Sequence, residues 1–154
     1  MSTVPTKKLD RRIVGVWRMS EAIALVVVAA VAVAACYFFP LTWVYIVAGA
    51  LTALQLLSTL AMPQIRYARW RYEVTNTDVL IRSGLVVVKT SVIPLVRVQH
   101  VESKQGPLLK SRNLASVTIG TAGDDFEIPG LAANEAERLR DQVAVLARIA
   151  QEDV

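Results

Sequence analysis

From residue 22 to residue 65 the chain contains no Asp, Glu, Lys, Arg or His. A soluble surface cannot be made from such a stretch, and its length says what can. Crossing the hydrocarbon of a bilayer takes roughly 20 apolar residues at about 1.5 Å each, and this stretch holds about twice that number. Two spans are predicted, at about 22–39 and 41–62, with Pro40 between them, where a reversal leaves its missing N–H harmless. Tyr37, Trp43 and Tyr45 fall beside the turn, and Trp17 and Tyr67 near the other face. These are the headgroup levels that amphipathic rings favour. Ala30, Ala34, Gly49 and Ala53 offer small residues at helical spacing for contact between the two helices.

Charge orients this hairpin. Lys7, Lys8, Arg11, Arg12 and Arg18 precede it, Arg66, Arg69 and Arg71 follow it, and the turn at 38–42 has no charge. Basic residues beside spans stay cytoplasmic. The expected arrangement is a multi-pass protein of the inner membrane with both termini cytoplasmic. It has a basic segment at 1–21, a transmembrane hairpin at 22–66 and a cytoplasmic domain at 67–154. The net charge of +4 lies entirely in the first 66 residues, where six Lys or Arg meet two acids; residues 67–154 carry eleven of each sign. A balanced domain offers no long-range field to a polyphosphate, so no nucleic-acid partner is expected.

Val33-Ala34-Ala35-Cys36 resembles the cleavage box of a bacterial lipoprotein. A cleaved lipoprotein continues into a polar linker, however, and here Tyr37, Phe38 and Phe39 lead into a second apolar stretch. Cys36, the one cysteine, reads instead as a small hydrophobe within a span.

Beyond Arg69 the pattern alternates. Trp70, Tyr72 and Val74 share one face and Arg71, Glu73 and Thr75 the other, as in a half-buried strand. Asn76-Thr77-Asp78 supplies a turn, 79–82 and 85–92 read as strands divided by Gly84, and Pro94 makes a break. Extended structure resumes over 96–104, with a bulge near Gln99 or His100 where the inward phase shifts. Residues 108–114 read as a loop or one helical turn, and 116–121 and 126–128 as strands of a hairpin closed by Gly123-Asp124-Asp125. Asn134 and Glu137 form a capping box, and Ala136, Leu139, Val143, Leu146 and Ala150 recur at helical spacing. The fold class is a two-helix transmembrane hairpin plus an α+β domain: a twisted antiparallel sheet or partial barrel of six strands, covered by a C-terminal helix.

Several phrases resemble the bacterial pleckstrin-homology-like domain of YdbS-like membrane proteins. They are Arg71-Tyr72-Glu73-Val74-Thr75, the 81–85 stretch with Gly84, Ile93-Pro94-Leu95-Val96-Arg97-Val98-Gln99-His100-Val101, Gln105-Gly106-Pro107-Leu108, Thr121-Ala122-Gly123 and Glu135-Ala136. Asn113 stands before Leu114 where that family has glycine, and asparagine is the next most tolerant residue of a left-handed backbone. Such folds have seven strands, one more than the pattern yields here. The resemblance implies a PH-like domain serving as a membrane-tethered interaction module, with another membrane protein, a relative with similar domains or a second copy as partner, and no catalysis. The basic cluster with which eukaryotic relatives hold phosphoinositides is replaced by Asn76-Thr77-Asp78, so that ligand is not implied.

One histidine, one cysteine in a span and no ligand cluster at metal spacing leave no catalytic, metal or cofactor site to assign. His100 reads as a sheet-face residue, and Asp124 and Asp125 as turn formers. The best candidate for contact with a partner or with headgroups is the loop carrying Lys104, Gln105, Leu108, Leu109, Lys110 and Arg112, although Leu108 and Leu109 could equally plug the sheet. Three roles are open: a non-catalytic subunit of a membrane complex, a lipid-responsive module docking on the anionic inner leaflet, and an oligomeric pore or transporter accessory.

Overall fold

Two long helices occupy the uncharged stretch and run past it at both outer ends. In the computed structural model, which describes residues 4–154, helix α1 covers Arg12–Phe38 and α2 covers Thr42–Arg69. Pro40 lies in the turn between them, as its missing donor requires. Pro63 lies inside α2, where it withholds one backbone donor from the preceding turn. The middle of this hairpin, Val14–Ile65, is one compact unit.

Within that unit the expected helix contact is out of phase. Ala30, Ala34, Gly49 and Ala53 are exposed, and a Cβ placed on Gly49 would meet nothing within 4 Å. Ala32, Ala48 and Thr52 are less exposed instead, because the contact face is set by the helical period around the whole seam and not by small-residue spacing alone. A polar contact joins the helices: the Gln55 amide donates to the Glu21 carboxylate at 3.0 Å. Tyr37 and Phe38 meet edge to face at 5.4 Å beside the turn.

The second unit is assembled from both flanks of the hairpin, joining the described residues up to Ile13 to Arg66–Val154. Strands β1 (Arg71–Val74), β2 (Asp78–Ser83) and β3 (Lys89–Pro94) form one antiparallel sheet in that order. Strands β4 (Val98–Lys104), β5 (Leu114–Thr121) and β6 (Asp125–Ala132) form another, so six strands stand in two sheets among the described residues. A short helix α3 (Pro107–Ser111) links β4 to β5. Helix α4 (Ala133–Glu152) packs on β4, β5 and the preceding 3-10 turn Leu95–Arg97. Central strand β5 is buried along nearly its whole length. Its Leu114, Val117 and Ile119 form the core with Val79, Ile93, Leu95, Ile128 and, from α4, Ala136, Leu139 and Val143.

The register bulge expected near Gln99 is present: Val98 pairs with Thr121 and His100 with Gly120, which leaves Gln99 as the extra residue. A second irregularity lies in β6, where Pro129 and Gly130 fall between the pairs Ile128–Val117 and Leu131–Ala115. Pro129 cannot donate to a ladder, so it is tolerated where the ladder is already broken.

Four expectations need correction. Residues 85–88 are loop, and β3 begins only at Lys89; an apolar run reads as a strand whether it is buried or not. The break at Pro94 is present, with Pro94 ending β3 on a sheet edge, but the 3-10 turn Leu95–Arg97 follows it, so extended structure resumes at Val98 and not at residue 96. The capping box is absent: α4 starts at Ala133, so Asn134 is already inside the first turn, where its side chain accepts the Glu135 N–H at 2.9 Å. Finally, the buried stripe of α4 passes through Ala147, while Leu146 and Ala150 are only half-buried.

The basic segment before the hairpin is part of the fold, with Pro5, Leu9 and Ile13 buried. Lys7 bridges Tyr72 as a one-residue antiparallel pair, and the Asp10 N–H donates to the Gly130 carbonyl at 2.9 Å.

Candidate functional site

Lys104 to Arg112 form a continuous corner of the soluble unit. Lys104 ends β4, exposed, with its ammonium 3.0 Å from Glu102. That carboxylate, by hydrogen bond and by charge, raises the Lys104 pKa. Gln105 turns inward and donates to the Leu114 carbonyl at 2.8 Å, tying the loop to the start of β5. Gly106 and Pro107 open α3, whose Leu108 and Leu109 are half-buried against the strand side, while Lys110 and Arg112 are exposed. Asn113 adopts φ +55, the left-handed conformation that asparagine tolerates, and its carbonyl accepts the Ala133 N–H at 3.1 Å. The Arg112 carbonyl accepts from the Arg12 guanidinium at 3.1 Å. The six residues thus share one corner of the surface: Lys104 is paired with Glu102, the Gln105 amide is used in the fold, and the leucines are partly covered.

A concave site lies elsewhere. A cleft of about 650 Å³ opens where the end of β3, the 3-10 turn and the start of β4 face the β5–β6 turn and the C-terminal part of α4. Its walls mix apolar and polar groups: Val92, Val96 and Phe126 with Arg97, Gln99 and Asp124. Among the described residues strand β3 has a sheet neighbour on one side only, and its last three residues, Val92, Ile93 and Pro94, line this cleft. Gln151 holds one wall by donating to the Val98 carbonyl at 2.8 Å. The imidazole of His100 lies over Gly120, where any Cβ would collide with the ring. No group of three or more His, Cys, Asp or Glu side chains among the described residues is placed to hold a metal ion.

Comparison with known proteins places this architecture. The bacterial PH domain family matches residues 13–147, hairpin included. The chain belongs to that family. It is also 45% identical over 147 residues to the transmembrane protein YdbS of Bacillus subtilis (strain 168), an alignment covering 90% of this chain and 91% of the relative. No solved structure matches the chain.

Two of the phrases by which the sequence resembles the bacterial PH domain meet at the cleft: residues from 93–101 form one wall and Thr121, Ala122 and Gly123 the other. Arg97, Asp124 and Gln151, which sequence reading did not assign to a site, belong to this bacterial PH domain cleft because a turn, a hairpin and a helix end converge there. The signal available was the pair of phrases, which are far apart along the chain and carry no chemistry singly.

The cations that flank the hairpin are placed as follows. Lys7 enters the fold through its backbone, and Arg12 pairs with Asp10 at 2.9 Å. The Arg69 guanidinium donates to the Leu85 carbonyl, and that of Arg71 to the Trp70 carbonyl at 2.6 Å. Lys8, Arg11, Arg18 and Arg66 are exposed along the surface.

Proposed function

We propose that the chain is a membrane-tethered, non-catalytic interaction subunit of a bacterial membrane complex, receiving a partner membrane protein in the cleft between β3 and the β5–β6 turn. The observation that carries this reading is the cleft itself. A mixed apolar and polar hollow beside an unpaired strand edge suits an extended segment of another chain, with backbone pairing for affinity and side-chain pockets for selection. The hairpin fixes location and the PH-like unit supplies recognition. The protein is read as multi-pass in the inner membrane with both termini cytoplasmic, which is supported by the basic residues outside both spans and by the pairing of residues from both flanks in one unit.

Site-specific photocrosslinking in native membranes tests the proposal. A photoreactive residue at the half-exposed Val96 is expected to capture one discrete membrane protein or a second copy, whereas the same residue at the exposed Arg138 on α4 captures neither. Equal or absent crosslinking at the two positions counts against the reading.

A further inference from the structure

The loop between β2 and β3 is Leu85, Val86, Val87 and Val88, with Val86 90% and Val87 69% exposed. Its shape is fixed. Gly84 has φ +146, and a Cβ there would overlap the backbone of Val87 and Val88. The chain therefore turns back on itself in a way only glycine permits. Arg69 donates to the Leu85 carbonyl and ends α2, four residues beyond Ile65, which is roughly 6 Å of helix. The tip is thus tied to the last residue of α2.

Charge on the shoulders has one sign. Arg82 and Lys89 flank the tip, both exposed, and no acidic residue occurs between Asp78 and Glu102. In register, Arg71 stands opposite Arg82 across β1 and β2, a like-charge pairing that is unfavourable on a bare sheet and is relieved by a nearby anion. A contiguous exposed apolar patch rimmed by cations marks a membrane or protein contact. A four-residue convex tip buries far less than the roughly 1,200 Å² of a stable protein interface. A bilayer needs no matching shape, and its anionic headgroups answer the Arg and Lys side chains.

We infer that residues 85–88 are a third membrane contact, dipping into the interface with Arg69, Arg82 and Lys89 at headgroup level and so anchoring the PH-like unit to the bilayer surface. This inference rests on the two helices being spans and is independent of the partner cleft.

Nitroxide accessibility in the full chain tests it. In a Cys36→Ser background, single labels are placed through Val86→Cys, Leu54→Cys and Arg138→Cys, all exposed positions. The protein is reconstituted in vesicles of phosphatidylethanolamine and phosphatidylglycerol. Collisions with dissolved oxygen report lipid, and collisions with a water-soluble nickel chelate report water. The Val86 label is expected to resemble Leu54, favouring oxygen, with nickel collisions several-fold below those at Arg138. A Val86 label as open to nickel as Arg138 overturns the inference. One shielded from both reagents also overturns it, since protein then covers the tip. If the Leu54 label itself meets nickel, the span reading fails instead.

Discussion

Lys7 and Tyr72 exchange both backbone hydrogen bonds, at 3.1 and 3.0 Å, although the whole hairpin lies between them in the chain. Tyr72 is buried there, and its burial, with the charge of Glu135, raises the phenol above its ordinary pKa of 10.0. Three residues on from Asp10, Ile13 is 1% exposed and seated against Gly130, whose φ of +71 and close approach exclude a side chain. These contacts make the start of the chain part of the PH-like unit.

Gly130→Ala puts a Cβ 2.5 Å from Ile13 Cγ1 in a left-handed backbone. The expected cost is about 2–4 kcal/mol from strain and overpacking together. Ile13→Ala removes a buried side chain at about 2–5 kcal/mol. Because the two groups touch, the double variant should be less destabilised than the two effects added. Thermal unfolding in mild detergent checks this, and strict additivity would refute the contact.

Asp10 caps the start of α1. Its carboxylate accepts the Arg12 N–H at 2.9 Å and the Arg12 guanidinium at 2.9 and 3.1 Å. The guanidinium hydrogen bond holds its pKa below the ordinary 3.8. A carboxyl lowered on folding contributes stability above its unfolded value and loses it as pH falls through its folded value. Asp10→Ala should cost about 1 kcal/mol near neutral pH through the lost cap, and Asp10→Asn less, since the ion pair is exposed and screened. The gap between wild type and Asp10→Asn should close in acid below pH 3.8, as pH-dependent unfolding would show.

Gly120 has no room for a methyl group beneath the His100 ring. Because the ring is the end of an exposed side chain that can turn aside, Gly120→Ala should destabilise the β4–β5 ladder by only about 0.5–1.5 kcal/mol, and His100→Ala in the same chain should restore most of the loss. Hydrogen exchange of the β5 amides provides the measurement. No rescue would mean that the backbone, and not the ring, excludes the side chain.

Topology follows from cysteine labelling in a Cys36→Ser background. Lys8→Cys and Glu152→Cys, both exposed, should react with a membrane-impermeant maleimide only after the cells are opened, and Phe39→Cys in the turn should react in intact cells. Reaction of Glu152→Cys in intact cells would reverse the assigned orientation.

The hairpin, the bulge at Gln99 and the Leu139 and Val143 face of α4 were legible because each is a local pattern: a missing charge, a shift of strand phase, a helical period. What was not legible depends on distance or phase. Leu9 and Ile13 sit among Lys8, Asp10, Arg11 and Arg12, so nothing nearby shows that Gly130 will cover them. The run Leu85 to Val88 has the composition of a buried strand, and only its position at a tip exposes it. Ala30 and Ala34 have the right spacing on the wrong side of their helix. The corner from Lys104 to Arg112 is one continuous stretch of sequence, whereas the cleft was not legible, since its walls come from segments that meet only in the folded chain.

Because the N-terminal residues are completed by a strand and a bulge made long after them, translation imposes an order of events. In the proposed two-span topology Ile13 leaves the ribosome early, yet it meets Gly130 only when both hydrophobic stretches have entered the bilayer and β6 has emerged. In that topology, closure of the PH-like unit requires both hydrophobic stretches to have been inserted. A chain whose hairpin stalls halfway would strand its own first segment across the membrane from the residues that should enclose it, leaving an unfinished, protease-sensitive domain.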